Sequence, residues 1–179
     1  GTLIVFAQLS FMRSQSLGVK TNQTLVVKFP GHTEGLNTKL EAMKKTIARL
    51  PLVYQVTFSG AVPGEEVATF LSNRRTNDAL KQNRLYEMLA CDPDYVDAYG
   101  LQVVAGRNFS EDYGDDVDKL VINETAVRNL GFTSNDEAIG ELVNVECTDA
   151  PMQIIGVVKD YHQQALSKNY TPIMLIHKD

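Results

Sequence analysis

The chain has 179 residues, of which 44% are hydrophobic and 22% are charged, and its net charge at pH 7 is −5. This composition is typical of a folded globular protein, and the length allows one large domain or two small ones. The acidic balance, without any run rich in Lys or Arg, gives no electrostatic reason to bind nucleic acid. No stretch of the sequence reaches the ~20 apolar residues that a helix needs to cross a bilayer.

The first apolar stretch, residues 3–12, opens an N-terminal segment that we predict to be a helix within residues 1–21. It lacks a basic region in front of it and a small-residue cleavage site, so it is a poor secretory signal. Two interpretations stay open. The segment is either an amphipathic helix that packs on the domain or the last turns of a membrane helix.

The next part of the chain predicts a β-α-β unit. Residues 24–29 form an apolar run that ends at Pro30, which is typical of a strand. Residues 36–50 carry one apolar stripe with helical spacing, and Pro51 ends the predicted helix. Residues 53–59 are a second predicted strand.

The middle and the end of the chain are predicted as shorter pieces. Asp92 is expected to cap a short helix that ends at Gly100, and Asn123 to cap another that ends at Gly131. The polar residues 73–83 are predicted to be a loop, after a possible short strand at 67–71. Strands are predicted at residues 85–90, 101–105, 119–122, 142–145, 154–158 and 173–176.

This order of elements predicts an α+β fold with a split organisation. Strand–connector–strand units lie at both ends of the chain, whereas the middle is built of shorter pieces. We therefore expect residues 22–61 and 150–179 to form one subdomain and residues 62–149 to be inserted as a second one.

Asp160, Tyr161 and His162 are the residues that most suggest catalysis. Asp160 and His162 can share one face of an extended chain, and such a pair can orient a general base. A base also needs a nucleophile or water in a pocket; Ser167 follows five residues later, but no nucleophile-elbow motif surrounds it. The structural interpretation is a polar exit from a strand, and we favour it.

Three other features suggest sites only weakly. The acidic loop at residues 111–118 does not have the ligand spacing of a calcium-binding EF-hand, so a solvated turn is favoured. Gly156 has no glycine partner for a phosphate loop, and close backbone packing explains it better. Arg74 and Arg75 are too few for a polyanion site. We predict no catalytic, cofactor-binding or metal-binding residue.

The two cysteines, Cys91 and Cys147, have no spacing that indicates a zinc site. A disulfide in an oxidising compartment and two unpaired, buried thiols both stay possible.

Four ordered segments carry a family resemblance. They are residues 15–19 with 24–27; 92–95 with 99–101 and 105–110; 121–127 with 130–131 and 138–140; and 155–162 with 166–167 and Pro172. Together they resemble the extracytoplasmic core domain of MacB-type ABC transporter permeases, the group that includes FtsX-like and lipoprotein-releasing permeases. Cys91 and Cys147 do not belong to that pattern.

The resemblance implies a domain between two membrane helices, on the periplasmic face of the bacterial inner membrane. It implies a porter-like subdomain from residues 22–61 and 150–179 and a Sabre-like subdomain from residues 62–149. It also favours the membrane-helix interpretation of residues 1–21. The implied domain has no enzymatic activity and no cofactor. It relays ATP-driven motion for export, lipoprotein release or control of envelope partners.

The implied partners are a second permease copy, a cytoplasmic ABC ATPase and an adaptor or other envelope protein. An alternative function from another class is a sensor-like module that binds a ligand or peptide in a cleft between its subdomains. A hydrolase that uses Asp160, His162 and Ser167 is the third possibility.

Overall fold

The structure, a computed structural model, describes residues 18–21, 23–29, 36–78, 82–114, 116–164 and 169–177. Most of the predicted helix at residues 1–21 therefore lies outside the described residues. In chain order the elements are α1 (Leu36–Ile47), β1 (Phe70–Arg75), β2 (Arg84–Cys91), α2 (Tyr95–Ala98), β3 (Val103–Gly106), a 3-10 turn (Glu111–Tyr113), β4 (Lys119–Asn123), α3 (Glu124–Asn129), α4 (Asn135–Ala138), β5 (Leu142–Asn144), β6 (Met152–Val158) and β7 (Ile173–His177).

All seven strands belong to one sheet in the order β3-β6-β4-β7-β2-β1-β5, and β5 also pairs with β6. Six of the strands therefore close on themselves, with β3 attached at β6. The β2–β7 and β4–β6 pairs are parallel, whereas the other pairs are antiparallel. This mixed α+β architecture agrees with the predicted fold class.

The sheet is strongly curved around Asn73. Strand β2 separates β1 from β7, yet Asn73 Nδ2 on β1 lies 3.2 Å from the Met88 sulfur and 3.3 Å from the Met174 sulfur. Asn73 is fully buried, and its Oδ1 accepts a hydrogen bond from the Glu146 backbone N–H at 3.1 Å. The buried amide is thus satisfied across the concave face, as a buried polar group must be.

Two hydrophobic clusters lie on opposite faces of the sheet, because successive side chains of a strand point in opposite directions. On β4, Leu120 and Ile122 belong to one cluster together with residues of α3 and α4. Val121, between them, belongs to the other cluster, which contains residues of α2 and Tyr161. The mainly apolar sequences of β4, β6 and β7 are explained by this burial on both faces.

Several predicted boundaries are confirmed. The Asn123 side chain accepts a hydrogen bond from Ala126 N and so caps α3, and the helix is followed by Gly131 at a φ of 82°. Gly156 lies inside β6, where an added Cβ would overlap the Arg107 carbonyl oxygen. Close backbone packing, as expected from the sequence, is therefore the reason for this glycine.

Other predictions are wrong. Residues 24–29 are not a strand, and of residues 53–59 only Ser59 forms a β-bridge, to Cys91. The predicted loop at 73–83 begins too early, since β1 continues to Arg75. Asp92 does not cap the following helix, whose N-cap is Asp94 without a side-chain hydrogen bond.

The strand partners do not respect the predicted boundary at residue 150. Strands β6 and β7 pair with β2, β3, β4 and β5, all of which lie in the segment 62–149. In the described chain, β6 therefore pairs within the segment 62–149 and not with residues 22–61. The division into porter-like and Sabre-like subdomains stays a prediction.

Candidate functional site

The N-terminal segment, residues 18–65, contacts the sheet at a set of residues that we call the junction: Asp92, Tyr99, Tyr161 and Gln163. Asp92 follows β2 directly, and Tyr99 ends the short helix α2. Tyr161 and Gln163 follow β6. All four are at least nine-tenths buried, so their contacts are held away from solvent.

Asp92 is the most connected residue of the junction. One carboxylate oxygen accepts a hydrogen bond from Thr57 Oγ1 at 2.6 Å. The other accepts from Lys44 Nζ at 2.6 Å and from the Phe58 backbone N–H at 3.0 Å. The Asp92 N–H in turn donates to the Phe58 carbonyl at 3.0 Å. One carboxylate thereby binds α1, the segment after α1 and the end of β2 together.

Lys44 is held by two carboxylates. Its ammonium lies 2.6 Å from Asp92 Oδ2 and 2.5 Å from Asp94 Oδ2. Burial acts to lower the pKa of Lys44, but the hydrogen bonds and charges of Asp92 and Asp94 together outweigh it and raise the pKa. Lys44 is therefore a stably charged link between α1 and the β2–α2 corner.

Gln163 joins the loop before β1 to the exit of β6. Its Nε2 donates to the Val62 carbonyl at 2.8 Å and to the Glu65 carbonyl at 3.1 Å. Its own carbonyl accepts from the Gly64 N–H at 2.8 Å, and its Oε1 accepts from the Tyr95 hydroxyl at 3.4 Å. The two acceptors of the Gln163 Nε2 group lie 101 and 98 residues earlier in the chain.

The first described residues also reach the junction. The Lys20 N–H donates to the Tyr99 carbonyl at 2.8 Å. Gly18 has a φ of 79° and lies beside Tyr161, where an added Cβ would make an ordinary contact of 3.5 Å with the Tyr161 Cβ. Tyr161 is 1% exposed, so the beginning of the described chain rests on the core itself.

The structure gives Asp160 a structural position. Its carboxylate accepts hydrogen bonds from the Thr125 N–H at 2.8 Å and from the Thr125 hydroxyl at 2.9 Å. Arg128 Nη2 lies 2.7 Å from Asp160 Oδ2. These contacts bind the end of β6 to the first turn of α3. A negative carboxylate there also interacts favourably with the positive end of the helix dipole.

His162 does not pair with Asp160. Its ring lies against Tyr170, with 4.5 Å between the ring centroids. Ser167 lies outside the described residues. Asp160 and His162 thus contact different neighbours, and the favoured interpretation, a polar exit from a strand, agrees with these contacts.

The acidic loop is organised around Arg107. Two guanidinium nitrogens donate to the two Asp116 carboxylate oxygens, each at 2.8 Å, and the guanidinium carbon lies 4.3 Å from the centre of the Tyr113 ring. The hydrogen bond from Arg107 is the main cause that lowers the pKa of Asp116. In the part of the chain that the structure describes, no group of carboxylate, His or Cys side chains is arranged to hold a metal ion.

The two cysteines are free thiols in different environments. Cys91 is buried at the end of β2, and Cys147 is exposed in the turn before β6. Burial raises the pKa of the Cys91 thiol. Of the two alternatives left open by the sequence, the disulfide is not formed, and the buried thiol describes Cys91 only.

Comparison with known proteins identifies the family. The model of the MacB-like periplasmic core domain matches residues 1–177. This chain belongs to the MacB-like periplasmic core domain family. It is a periplasmic or extracellular domain of a MacB-like ABC transporter permease, which confirms the resemblance read from the four segments. A search among curated proteins gave no match.

Three solved structures are similar to this MacB-like domain. The periplasmic region of MacB from Actinobacillus actinomycetemcomitans is 20% identical, with a TM-score of 0.49, over 76% of this chain and 54% of that one. The extracellular domain of the noncanonic ABC-type transporter YknZ from Gram-positive bacteria is 19% identical, with a TM-score of 0.54, over 76% and 61%. A domain of a putative permease protein from Porphyromonas gingivalis is 17% identical, with a TM-score of 0.50, over 74% and 54%.

This MacB-like domain matches only part of each of those chains, between 54% and 61% of their lengths. At these identities the likeness extends to the fold. Among the described residues, none of the helices has the length and apolar character needed to cross a membrane.

The sequence alone missed the junction of this MacB-like domain. Asp92 was interpreted as a local helix cap because Asp-Pro is typical of helix starts. Its partners lie 34 to 48 residues earlier, as the separations from Phe58 and Lys44 show, and no local pattern reports them. Gln163 carries no motif, and its only signal was its place next to the family segment at residues 155–162.

Proposed function

We propose that this domain relays ATP-driven conformational change of a MacB-like permease to the outer face of the membrane, in export, lipoprotein release or control of envelope partners. The proposed partners are a second permease copy, a cytoplasmic ABC ATPase that reaches the domain through membrane parts, and an adaptor or other envelope protein. The domain itself is proposed to carry no catalysis.

The junction is the observation that carries this proposal. The described chain begins at Gly18 and Lys20, which bind Tyr161 and Tyr99. A displacement of the N-terminal segment is thereby passed to buried residues rather than to a loose linker. Packed interiors deform little, so a push at such a point moves the sheet as a body.

Exposed apolar side chains on the N-terminal segment support contacts with other parts of the permease. Leu25 is 87% exposed, Leu52 88% and Tyr54 fully exposed. Large contiguous apolar patches mark protein–protein interaction sites, and we propose that these three side chains belong to such a patch. We place the contact with the second permease copy or with further permease chain here, in a porter-like unit built on residues 22–61.

Cys147 offers a direct test of the relay in the full-length permease with its ATPase. This exposed thiol can be spin-labelled, while Cys91 is buried and stays unlabelled. Cysteines outside this chain are replaced first. The Cys147–Cys147 distance between two permease copies is then measured by pulsed electron resonance without nucleotide and in an ATP-trapped state. We expect one distance distribution in each state and a shift between them.

A D92A variant provides the matched comparison, because it loosens the junction far from the ATPase. We expect it to hydrolyse ATP at the wild-type rate while its nucleotide-dependent shift is reduced. An unchanged distance in wild type would contradict the relay. The absence of any measurable distance would contradict the permease dimer. A D92A shift equal to that of wild type would remove the junction from the pathway.

A further inference from the structure

A polar cavity of about 270 Å³ lies between the β1–β2 hairpin and the end of α3, away from the junction. Its walls come from β1, from β2, from the described residues of the connection between them, and from the end of α3 with the turn that follows it. The residues that carry chemistry there are Arg74, Arg75, Asp78, Arg84, Tyr86 and Asn129.

The cavity is positively charged in an acidic protein. Among the described residues of the wall, Asp78 is the one carboxylate beside Arg74, Arg75 and Arg84, whereas the whole chain has a net charge of −5. This local excess of positive charge concentrates anions at the cavity, because a concave, partly enclosed surface focuses the electrostatic field.

Two of the three guanidinium groups bind uncharged acceptors. Arg74 Nη1 donates to the Asn83 side-chain oxygen at 3.1 Å, and Arg84 donates to the backbone carbonyl of Asn129. Among the described residues, Arg75 is the one of the three in an ion pair, with Glu141 Oε2 at 3.2 Å. The charges of Arg74 and Arg84 are therefore available to an anion.

Tyr86 adds an independent observation that points to a ligand. The residue is 1% exposed and lines the cavity. Its buried hydroxyl has no hydrogen-bond partner among the described residues. Burial raises the pKa of Tyr86 to about 12, so the hydroxyl stays protonated and able to donate. Buried polar groups are nearly always paired, and an unpaired one calls for a missing partner.

We propose that this cavity binds a phosphate group, either as a small soluble phosphate or monoester or as the headgroup of a phospholipid. A phosphate carries a charge near −2 at neutral pH as a monoester and offers several acceptor oxygens. Guanidinium groups bind such oxygens in a two-pronged geometry. Arg74 and Arg84 supply the charge, and the Tyr86 hydroxyl donates to a remaining oxygen.

The competing explanation is structural. Arg84 binds a carbonyl at the end of α3, where a cation is favourable in any case. Arg75 is held over the Phe132 ring at 3.9 Å as well as by Glu141. This explanation covers Arg75 and Arg84, and Arg74 bonds Asn83 within the hairpin, but it leaves the charge of Arg74 and the Tyr86 hydroxyl without a role. Those two residues therefore carry the test.

The test is calorimetric titration of the purified chain with inorganic phosphate, in wild type and in R74Q, R84Q and Y86F. R49Q is the matched control, because Arg49 is an exposed arginine just after α1 and is not part of the cavity wall. We expect the wild type to bind phosphate saturably with one-to-one stoichiometry. Binding should be about tenfold weaker in R74Q and in R84Q, because each variant loses one pair of charge-assisted hydrogen bonds. Y86F is expected to weaken binding severalfold, and R49Q to leave it unchanged.

Several results of this titration would refute phosphate binding at the cavity. No saturable binding in wild type, or equal affinities for wild type, R74Q and Y86F, would refute it. An equal loss in R49Q and R74Q would mean nonspecific attraction and would also refute it. If R84Q does not fold, as judged by its thermal transition, R74Q and Y86F decide the matter, because neither removes a contact to α3.

A vesicle assay separates the two sources of phosphate. The chain is mixed with phosphatidylglycerol vesicles or with phosphatidylcholine vesicles and sedimented. Binding of the chain to phosphatidylglycerol vesicles supports the lipid headgroup if inorganic phosphate displaces the chain and if R74Q does not bind. Phosphate binding without such retention supports a soluble phosphate. Retention that is equal in wild type and R74Q comes from elsewhere on the protein and counts against the headgroup.

Discussion

Replacing Asp92 by alanine is expected to release the N-terminal segment from the sheet while the sheet itself stays folded. The substitution removes an acceptor that binds Lys44 Nζ at 2.6 Å, Thr57 Oγ1 at 2.6 Å and the Phe58 N–H at 3.0 Å. Strands β1 to β7 make none of these contacts.

The size of the effect follows from burial and from what is left behind. Hydrogen bonds to a charged group contribute about 1.5–3 kcal/mol each, and breaking a buried ion pair costs about 3–5 kcal/mol. Asp92 is 7% exposed, but Lys44 keeps Asp94 as a partner at 2.5 Å. We therefore expect a loss of about 2–4 kcal/mol, which acts on the docking of α1 rather than on the whole domain.

Amide hydrogen exchange followed by mass spectrometry measures this docking. A loss of about 2–4 kcal/mol corresponds to exchange that is roughly 30- to 700-fold faster in peptides that cover Leu36–Ile47 and residues 53–59. Peptides from β4 and β6 should exchange as in wild type. D94A is the matched control, because the Asp94 side chain is 46% exposed and an exposed pair contributes about 0–1 kcal/mol.

The reasoning would be refuted by equal exchange in D92A and D94A. It would also be refuted by uniformly faster exchange that includes β4 and β6, since Asp92 would then stabilise the whole sheet. Unchanged exchange in α1 would mean that the helix is held by other contacts.

The remaining predictions concern a helix start, the acidic loop, the sheet and the thiols. D160A is expected to lower the free energy of unfolding in urea by about 1–2 kcal/mol, because α3 loses a capping carboxylate. The pKa of Asp116 is lowered in the folded state, so its ionised carboxylate stabilises the fold above the unfolded pKa of about 4. This stabilisation is lost as the pH falls through the lower folded pKa. In D116N, Tm should therefore fall less steeply over this acid range. G156A should cost about 3 kcal/mol or more in urea unfolding, because its Cβ would overlap a carbonyl oxygen. A thiol reagent should modify Cys147 in the native protein and Cys91 only after unfolding.

The parts of the fold that could be predicted from the sequence are those that local chemistry decides. Strands β4 and β6 are runs of β-branched residues buried on both faces, and such runs have few alternatives in a globular protein. The cap at Asn123 depends on residues only three positions apart. Patterns that involve only neighbouring residues can be recognised from the sequence alone.

The parts that failed depend on distant partners. Residues 24–29 and 53–59 have the composition of strands, but a strand also needs a neighbour to take its backbone hydrogen bonds. In the described chain these two stretches form a single β-bridge, from Ser59 to Cys91, and no longer ladder. The opposite error occurred at Asn73, which was assigned to a loop because it is polar. Its burial is possible because curvature brings Glu146 N and two sulfurs to it.

The polar residues around β6 show how the same chemistry can be catalytic or structural. Asp160 and Gln163 are both surrounded by donors or acceptors, as active-site residues often are. Each, however, is saturated by residues that come from far along the chain, Asp160 by Thr125 and Gln163 by Val62. The Asp160 carboxylate accepts from the Thr125 N–H, the Thr125 hydroxyl and Arg128, and these bonds fix the end of β6 against α3. The two residues after β6 therefore have structural roles, since Gln163 holds the loop before β1 and Asp160 holds the first turn of α3 against the same strand end.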